Sequence, residues 1–402
     1  MPLHDCTDFV YFGMIKREIE QKLLALSKKF PVIAVIGPRQ SGKTTLVRAT
    51  FKDHSYVNLE EPDTRLFAAG DPRGFLQNTP LVIDEFQRVP ELLSYIQTMV
   101  DSDSTPGRII LTGSQNFLMS EKISQTLAGR VAILKLLPFS IDELFADNRF
   151  TTLDRYDLIY RGFYPPVYDR SIEPADWFPN YTSTYVERDV RQIKNISDLN
   201  RFTLFMKLVA GRVGQLLNYT SLAVEVGISP NTARDWIGML EASFVVFTLQ
   251  PWHANINKRL VKQPKLYFID PGLAVSLLEI KSKEHLKTYH QAGSLFENMV
   301  IVDLLKQRFN KGLQNNLFFL RDSTGREIDC LLDHGTTRDI VEIKSGMTVN
   351  KDFFASLDYY SEIPGLGVKN KFLVYGGDER RQMVDTPVLP WKLTSEINRE
   401  LP

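Results

Sequence analysis

Cysteine is nearly missing from this chain: Cys6 and Cys330 are the only two in 402 residues. That count and their separation exclude a cluster with metal-ligand spacing. The usage fits a reducing compartment, and Cys330, in an apolar run with Ile328, Leu331 and Leu332, reads as a buried thiol. An excess of charge is missing too, since 48 basic residues meet 48 acidic ones. Constitutive nucleic-acid binders draw most of their affinity from phosphate neutralisation, so any DNA contact here has to come from a local patch. Long apolar runs are absent as well, and none approaches the ~18 residues needed to span a bilayer. The first residues, with Asp5 and Asp8, lack the basic start and apolar stretch of a signal peptide. A soluble, cytoplasmic protein without membrane contact is the expectation. No internal repeat or low-complexity tract is found, which excludes a solenoid or a long disordered linker. What remains is ordinary globular composition, 43% hydrophobic and 24% charged, in a chain long enough for two or three domains.

Hydrophobic patterning divides that length. Residues 14–30 read as a helix, with Ile15, Ile19, Leu23 and Leu26 at helical spacings. Short apolar runs at 31–36, 56–59, 81–83, 108–112 and 131–137 then alternate with helical stretches such as 43–51 and 90–100. That alternation predicts an α/β fold: a parallel sheet with helices on both faces. Residues 140–200 are helical and rich in Tyr and Asp, with a turn at 162–166. Three helical segments and two strands (244–249 and 265–269) follow. The last part reads as a helix at 295–309, strands at 317–321, 327–332 and 339–344, a helix at 352–361 and a strand at 372–375. The boundaries expected are 1–145 for the parallel-sheet domain, 146–200 for a helical lid or linker, 201–285 for a winged-helix segment and 286–402 for a C-terminal α/β domain.

Chemistry concentrates near the start. Gly37-Pro38-Arg39-Gln40-Ser41-Gly42-Lys43-Thr44, followed by Thr45, matches G-x-x-x-x-G-K-[ST] between a strand and a helix. Glycines let the backbone curl until successive N–H groups point at phosphate oxygens, and the helix start adds its positive dipole end. Lys43 is placed to reach the β- and γ-phosphates, and Thr44 to offer its hydroxyl to Mg²⁺. Asp84 and Glu85 end the apolar run 80–83, at the carboxyl end of a strand, where α/β sheets bind ligands. Asp84 suits the Mg²⁺ partner and Glu85 the base that orients water, unless Glu85 pairs with a neighbouring arginine. Ser114, with Gln115 and Asn116 beside it, is either a γ-phosphate sensor or part of a plain turn. Arg130 is either solvated or a transition-state cation, acting within its chain or across a subunit interface.

Those motifs, with Tyr56-Val57-Asn58-Leu59, Leu127-Ala128-Gly129-Arg130, Arg161-Gly162-Phe163-Tyr164-Pro165 and Tyr185-Val186-Glu187-Arg188-Asp189, resemble the prokaryotic AAA-type ATPases that carry a C-terminal domain of unknown function. The resemblance covers nearly the whole chain. It implies an AAA-like ATPase core, a winged-helix segment and a restriction-endonuclease-like C-terminal fold, with ATP and Mg²⁺ as cofactors, and it favours the sensor and transition-state roles for Ser114 and Arg130. ATP rather than GTP rests on it and on the absence of a guanine-reading Asn-Lys-x-Asp.

Two further constellations follow. Residues 219–226, a turn at Gly227-Ile228, and 230–240 capped by Ser229 read as helix-turn-helix. The second helix offers Asn231, Thr232, Arg234 and Asp235, with Lys258, Arg259, Lys262 and Lys265 near the wing to meet phosphates. One arginine beside an aspartate makes a poor base reader, so a module that only packs between domains or holds a partner protein stands slightly ahead of a DNA reader. At the C-terminal end, Glu297 on a helix, Asp329 in one strand and Glu342-Ile343-Lys344 in the next resemble the metal-binding set of restriction-endonuclease-like nucleases. There the acids hold divalent metal and the lysine positions water. Two carboxylates ~4 Å apart repel by roughly 4 kcal/mol at an effective dielectric near 20, so such a set needs a metal, a shared proton or a close cation. The reading is an ATPase that switches its winged-helix and C-terminal parts, on DNA or on a protein. Its rivals are a nucleotide-gated interaction module with little turnover and an ATP-regulated nuclease, and oligomerisation stays open.

Overall fold

The computed structural model describes residues 14–114, 123, 125–185, 198–252 and 263–398. Five strands form a parallel sheet in the order β2-β3-β4-β1-β5. They are β1 Val32–Ile36, β2 Ser55–Asn58, β3 Leu81–Asp84, β4 Ile109–Gly113 and β5 Val131–Lys135. Every residue of β1, β3 and β4 is buried, which is why they read as unbroken apolar runs rather than alternating ones. One face of the sheet packs Leu46, Val47 and Ile19 from the helices Lys43–Thr50 and Ile19–Ser27. Leu92, Leu93 and Ile96 of the helix Leu92–Ser102 cover the other. The expected α/β core is the one observed.

A helical segment follows, from Ile141–Phe145 to Pro174–Tyr185. Its turn at Gly162 is fixed by a close approach. A Cβ there would stand 2.2 Å from Asp270 Oδ1, and φ is +64°. Asp270 accepts from Phe163 N at 2.6 Å and caps the helix Pro271–Leu277 through Gly272 N and Leu273 N. One buried carboxylate thus joins residues more than a hundred positions apart in the chain.

The helix-turn-helix comprises Tyr219–Val226 and Pro230–Ala242, each capped by a side chain, Asn218 on Ser221 N and Ser229 on Thr232 N. Gly227 supplies the left-handed turn at φ +76°. The hairpin after it, β6 Val246–Pro251 and β7 Lys265–Phe268, is not a free wing. β6 pairs antiparallel with β7 and parallel with β8 Leu317–Arg321. The hairpin is therefore the edge of an eight-stranded sheet, ordered β12-β13-β11-β10-β9-β8-β6-β7. The other members are β9 Glu327–Asp333, β10 Arg338–Lys344, β11 Val368–Tyr375, β12 Arg381–Met383 and β13 Thr386–Pro390. Lys265, expected to face phosphates, is buried in this sheet instead; Lys258, Arg259 and Lys262 lie outside the described residues.

The helix Ala292–Asn310 is buried along most of its length. Several of its buried polar residues are paired with distant elements, as buried polar groups generally are. Asp303 accepts from Ile141 N and Thr394 Oγ1, Lys306 donates to Phe139 O, and Asn310 donates to Glu18. One apolar core runs from Ile15 through the helical segment to Ile397, so the C-terminal region packs directly on the exit of the parallel sheet.

Candidate nucleotide site and the C-terminal carboxylate cluster

At the carboxyl end of the parallel sheet the loop 37–42 turns from β1 into the helix Lys43–Thr50. Gly37 is required by space: a Cβ would stand 2.0 Å from Leu136 O. Gln40 and Gly42 take left-handed conformations, φ +58° and +92°, which curl the chain. Lys43 is only 5% exposed, and its ammonium donates to two carbonyls of its own loop, Pro38 O at 2.7 Å and Gly37 O at 3.1 Å. Arg17 ties the loop down from outside. It donates to Ser41 O at 2.8 Å and Leu137 O at 2.7 Å, and pairs with buried Glu143 at 3.0 Å.

Asp84, the last residue of β3, is held by four donors. Thr44 Oγ1 lies at 2.7 Å, Tyr56 OH at 2.8 Å and Glu85 N at 3.0 Å, and Thr112 Oγ1 also contacts it. Glu85 sits in the left-handed region at φ +54°. Its Oε2 accepts from Gln87 Nε2 and, at 3.4 Å, from Ser114 Oγ, with Gln87 also donating to Ser114 at 3.3 Å. Burial pushes the Glu85 carboxyl above the usual carboxylate range, against the pull of the Lys43 charge. A non-glycine residue at positive φ with a raised pKa beside a phosphate loop is the strained, tuned kind of position where catalytic groups occur. Arg39, Lys43, Thr44 and Glu85 line one side of a cleft of about 630 Å³, with buried Asp84 and Ser114 behind Thr44 and Glu85. The opposite wall comes from the helical segment, through Pro165, Asp169, Arg170 and Tyr181.

The candidate residues from the sequence do not all converge there. Pro38, Gln40, Ser41, Gly42 and Thr45 belong to the loop or the helix start, and Ser114 stands beside Glu85. Gln115 and Asn116 lie outside the described residues. Arg130 does not approach the cleft of its own chain. It precedes β5, its carbonyl accepts from Val32 N, and it therefore sits at the opposite edge of the sheet. Five strand residues at ~3.3 Å each put roughly 15 Å between that edge and the loop. Its exposed guanidinium pairs with Asp101. Sequence reading missed Arg17, Thr112 and Gln87. Thr112 had a signal, because it lies near the carboxyl end of a buried strand next to β3, whereas Arg17 is only one more cation, just before a helix.

Glu297, Asp329, Glu342 and Lys344 also come together, with two members the sequence did not place. Lys265 of β7 lies 3.1 Å from Glu297 Oε1 and 3.9 Å from Asp329 Oδ1, and it contacts Glu327 of β9. Lys344 contacts Glu342 and stands 3.9 Å from Asp329 Oδ2, which also accepts from Ile343 N at 2.8 Å. Tyr267 OH donates to Glu297 at 2.6 Å. Burial and Asp329 push the Glu297 carboxyl up to about 7 and that of Glu342 up to about 8. Burial alone would lower the Lys265 ammonium, but Glu297, Asp329 and Glu327 outweigh it and hold it above its ordinary value. Among the described residues, no three His, Cys, Asp or Glu side chains are grouped closely enough to share a metal ion.

Comparison with known proteins divides the chain into three. Residues 29–145 match the family model of an AAA domain. Residues 152–284 and 292–394 match two domains of unknown function, DUF8612 and DUF4143. An uncharacterized protein of Mycobacterium tuberculosis is 29% identical over 381 residues, covering 93% of this chain and 82% of its own length. One from Methanocaldococcus jannaschii is 22% identical over 426 residues, covering 95% and 91%. Among solved structures, a Walker-type ATPase of Pyrococcus abyssi is similar at 15% identity and a TM-score of 0.42, covering 66% of this chain and 96% of its own. AMPPCP-bound DnaA from Aquifex aeolicus is similar at 13% and 0.29, covering 56% and 85%. The chain carries a P-loop AAA domain, a helical segment and a C-terminal α/β domain of unknown function. No helix among the described residues is long and apolar enough to cross a membrane.

Proposed function

We propose that this protein binds and hydrolyses Mg-ATP and uses the cycle to reposition its helical and C-terminal parts. The observation that carries the reading is a cleft lined by Lys43, Thr44 and Glu85, with buried Asp84 held on Thr44 and Ser114 on Glu85. The donor set suits Mg²⁺, because a hydroxyl and a carboxylate already in contact, Thr44 and Asp84, are hard oxygen ligands. Bound Mg²⁺ supplies neutralisation of charge on the phosphates.

Lys43 exchanges the carbonyls of Gly37 and Pro38 for β- and γ-phosphate oxygens, gaining a charged partner for two neutral ones. Glu85, oriented by Gln87 and Ser114, accepts a hydrogen bond from the attacking water. Arg130 serves across a subunit interface, since its place at the far edge of the sheet keeps it from its own cleft. The loop's displacement passes through Arg17 to residues 137–143, and from there through Phe139 O and Ile141 N to Lys306 and Asp303. The C-terminal helix thereby feels the state of the phosphate loop.

For the helix-turn-helix we favour a protein partner, because its recognition helix exposes Asn231, Arg234 and Asp235, one cation against one anion. Phosphate release measured with purified protein, with and without DNA, tests the scheme. Steady turnover that is lost in Glu85→Gln supports it, and DNA stimulation would move the partner to nucleic acid. Binding without turnover would favour the nucleotide-gated interaction module. Calorimetry with ATP and GTP in parallel fixes the base preference.

A further inference from the structure

Outside the nucleotide cleft, a dense set of titratable groups gathers in the C-terminal cluster. Its four carboxylates come from three elements: Glu297 from the helix Ala292–Asn310, Glu327 and Asp329 from β9, and Glu342 from β10. Oxygen donors gathered in this way are what a hard divalent cation takes. Lys265, with a side chain 4% exposed, reaches Glu297, Glu327 and Asp329 at once. Lys344 stands on the Glu342 side of Asp329, and Arg321 pairs with the outer oxygen of Glu327 at 3.1 Å. One donor is left over. Glu342 Oε2 is buried with no hydrogen-bond partner among the described residues, in a side chain only 8% exposed. A carboxylate oxygen left unpaired in the interior points to a ligand position that protein groups do not complete.

We propose that Lys265 is the resident cation of a site otherwise built for a divalent metal ion. While β7 is seated at the sheet edge, the ammonium offsets the mutual repulsion of the acids it contacts, and the cluster takes up no metal. Without the ammonium, Glu297, Asp329 and Glu342, which as placed are not grouped closely enough to share a metal ion, lose the charge that offsets their repulsion and draw together around a Mg²⁺- or Mn²⁺-class cation. A cation entering beside Lys265 would meet a like charge that cannot withdraw, because the residue is buried in the sheet with its ammonium 5.8 Å from the centre of the Phe319 ring. The requirement for a metal, a shared proton or a close cation is met here by the cation, together with protons held on the Glu297 and Glu342 carboxyls. On this reading metal-dependent cleavage of nucleic acid is not an activity of the chain with β7 in place. The inference stands independently of the nucleotide site.

Calorimetric titration of the nucleotide-free, full-length protein with MnCl₂ tests it. The wild type should show no Mn²⁺ uptake that Asp329→Asn removes. Lys265→Met should bind one Mn²⁺ per chain at least about tenfold more tightly than wild type, as loss of a like charge predicts, and adding Asp329→Asn should abolish it. Wild-type uptake that Asp329→Asn abolishes would overturn the proposal, as would a folded Lys265→Met that takes up none. Circular dichroism checks the fold. Should Lys265→Met not fold, Lys265→Met/Glu327→Gln, which removes one charge of each sign, carries the same test with the same outcomes.

Discussion

Two lysines in this molecule are equally buried, Lys43 at 5% and Lys265 at 4% exposure, and each stands among acids contributed by strands. Their partners differ. Lys43 donates to neutral carbonyls of its own loop beside an open cleft, while Lys265 is enclosed by carboxylates. An ammonium hydrogen-bonded to carbonyls beside an open cleft gains by exchanging them for a phosphate. An ammonium already paired with carboxylates has nothing to gain and much to lose. The same residue type thus makes a site that accepts a ligand at one end of the molecule and a node that excludes one at the other.

The contrast breaks most readily at Glu85. Glu85→Gln should lower phosphate release by about 10³ while ATP affinity stays within roughly threefold, as loss of a positioned base implies. Turnover at the wild-type rate would remove Glu85 from the chemistry. Next comes Lys265→Met, expected to lower stability by about 3 kcal/mol in urea unfolding, the cost of orphaning buried carboxylates, and to leave ATP binding untouched. A change below about 1 kcal/mol, ordinary for surface positions, would show that Lys265 is no node. Lys43→Ala should weaken ATP by about 10² in calorimetry, since a charge-assisted contact is worth roughly 3 kcal/mol, with unfolding unchanged. Equal affinity would end the nucleotide reading.

The smallest effect concerns pH. Glu342 is pushed up to about 8 and Glu297 to about 7, both above the ordinary 4.5. The folded state therefore binds more protons than the unfolded chain between these values, and the stability present at low pH is lost as pH rises toward 8. Asp329, Lys344, Lys265 and Tyr267 face these groups. Between about pH 5 and 8, wild type should lose on the order of 1 kcal/mol more than Glu342→Gln. Parallel profiles would place that carboxyl outside the titration.

The parallel sheet and its loop were legible because buried parallel strands leave unbroken apolar runs, such as Val32–Ile36, and because phosphate chemistry imposes a fixed spacing of residues. The C-terminal acids were legible as a group from strand alternation. Lys265 was not, because the basic residues before it suggest a solvated face, and only its register with Tyr267 in a buried strand says otherwise. The helix Ala292–Asn310 was readable as a helix, but nothing in its periodicity marks Asp303 or Lys306 as buried; those partners come from 139–141 and 394, far away in sequence. The short strands β12 and β13 went unread, since β12 is exposed throughout and carries no apolar pattern.

The membership of β6 in two pairings has a practical consequence for anyone dissecting this molecule. Severing the polypeptide near residue 285 separates β6 from β8 and strips Lys265 of Glu297, Glu327 and Asp329. Each fragment then presents a raw backbone edge and unbalanced charge, a recipe for aggregation, and the two pieces should be soluble only when co-expressed so that they can re-anneal.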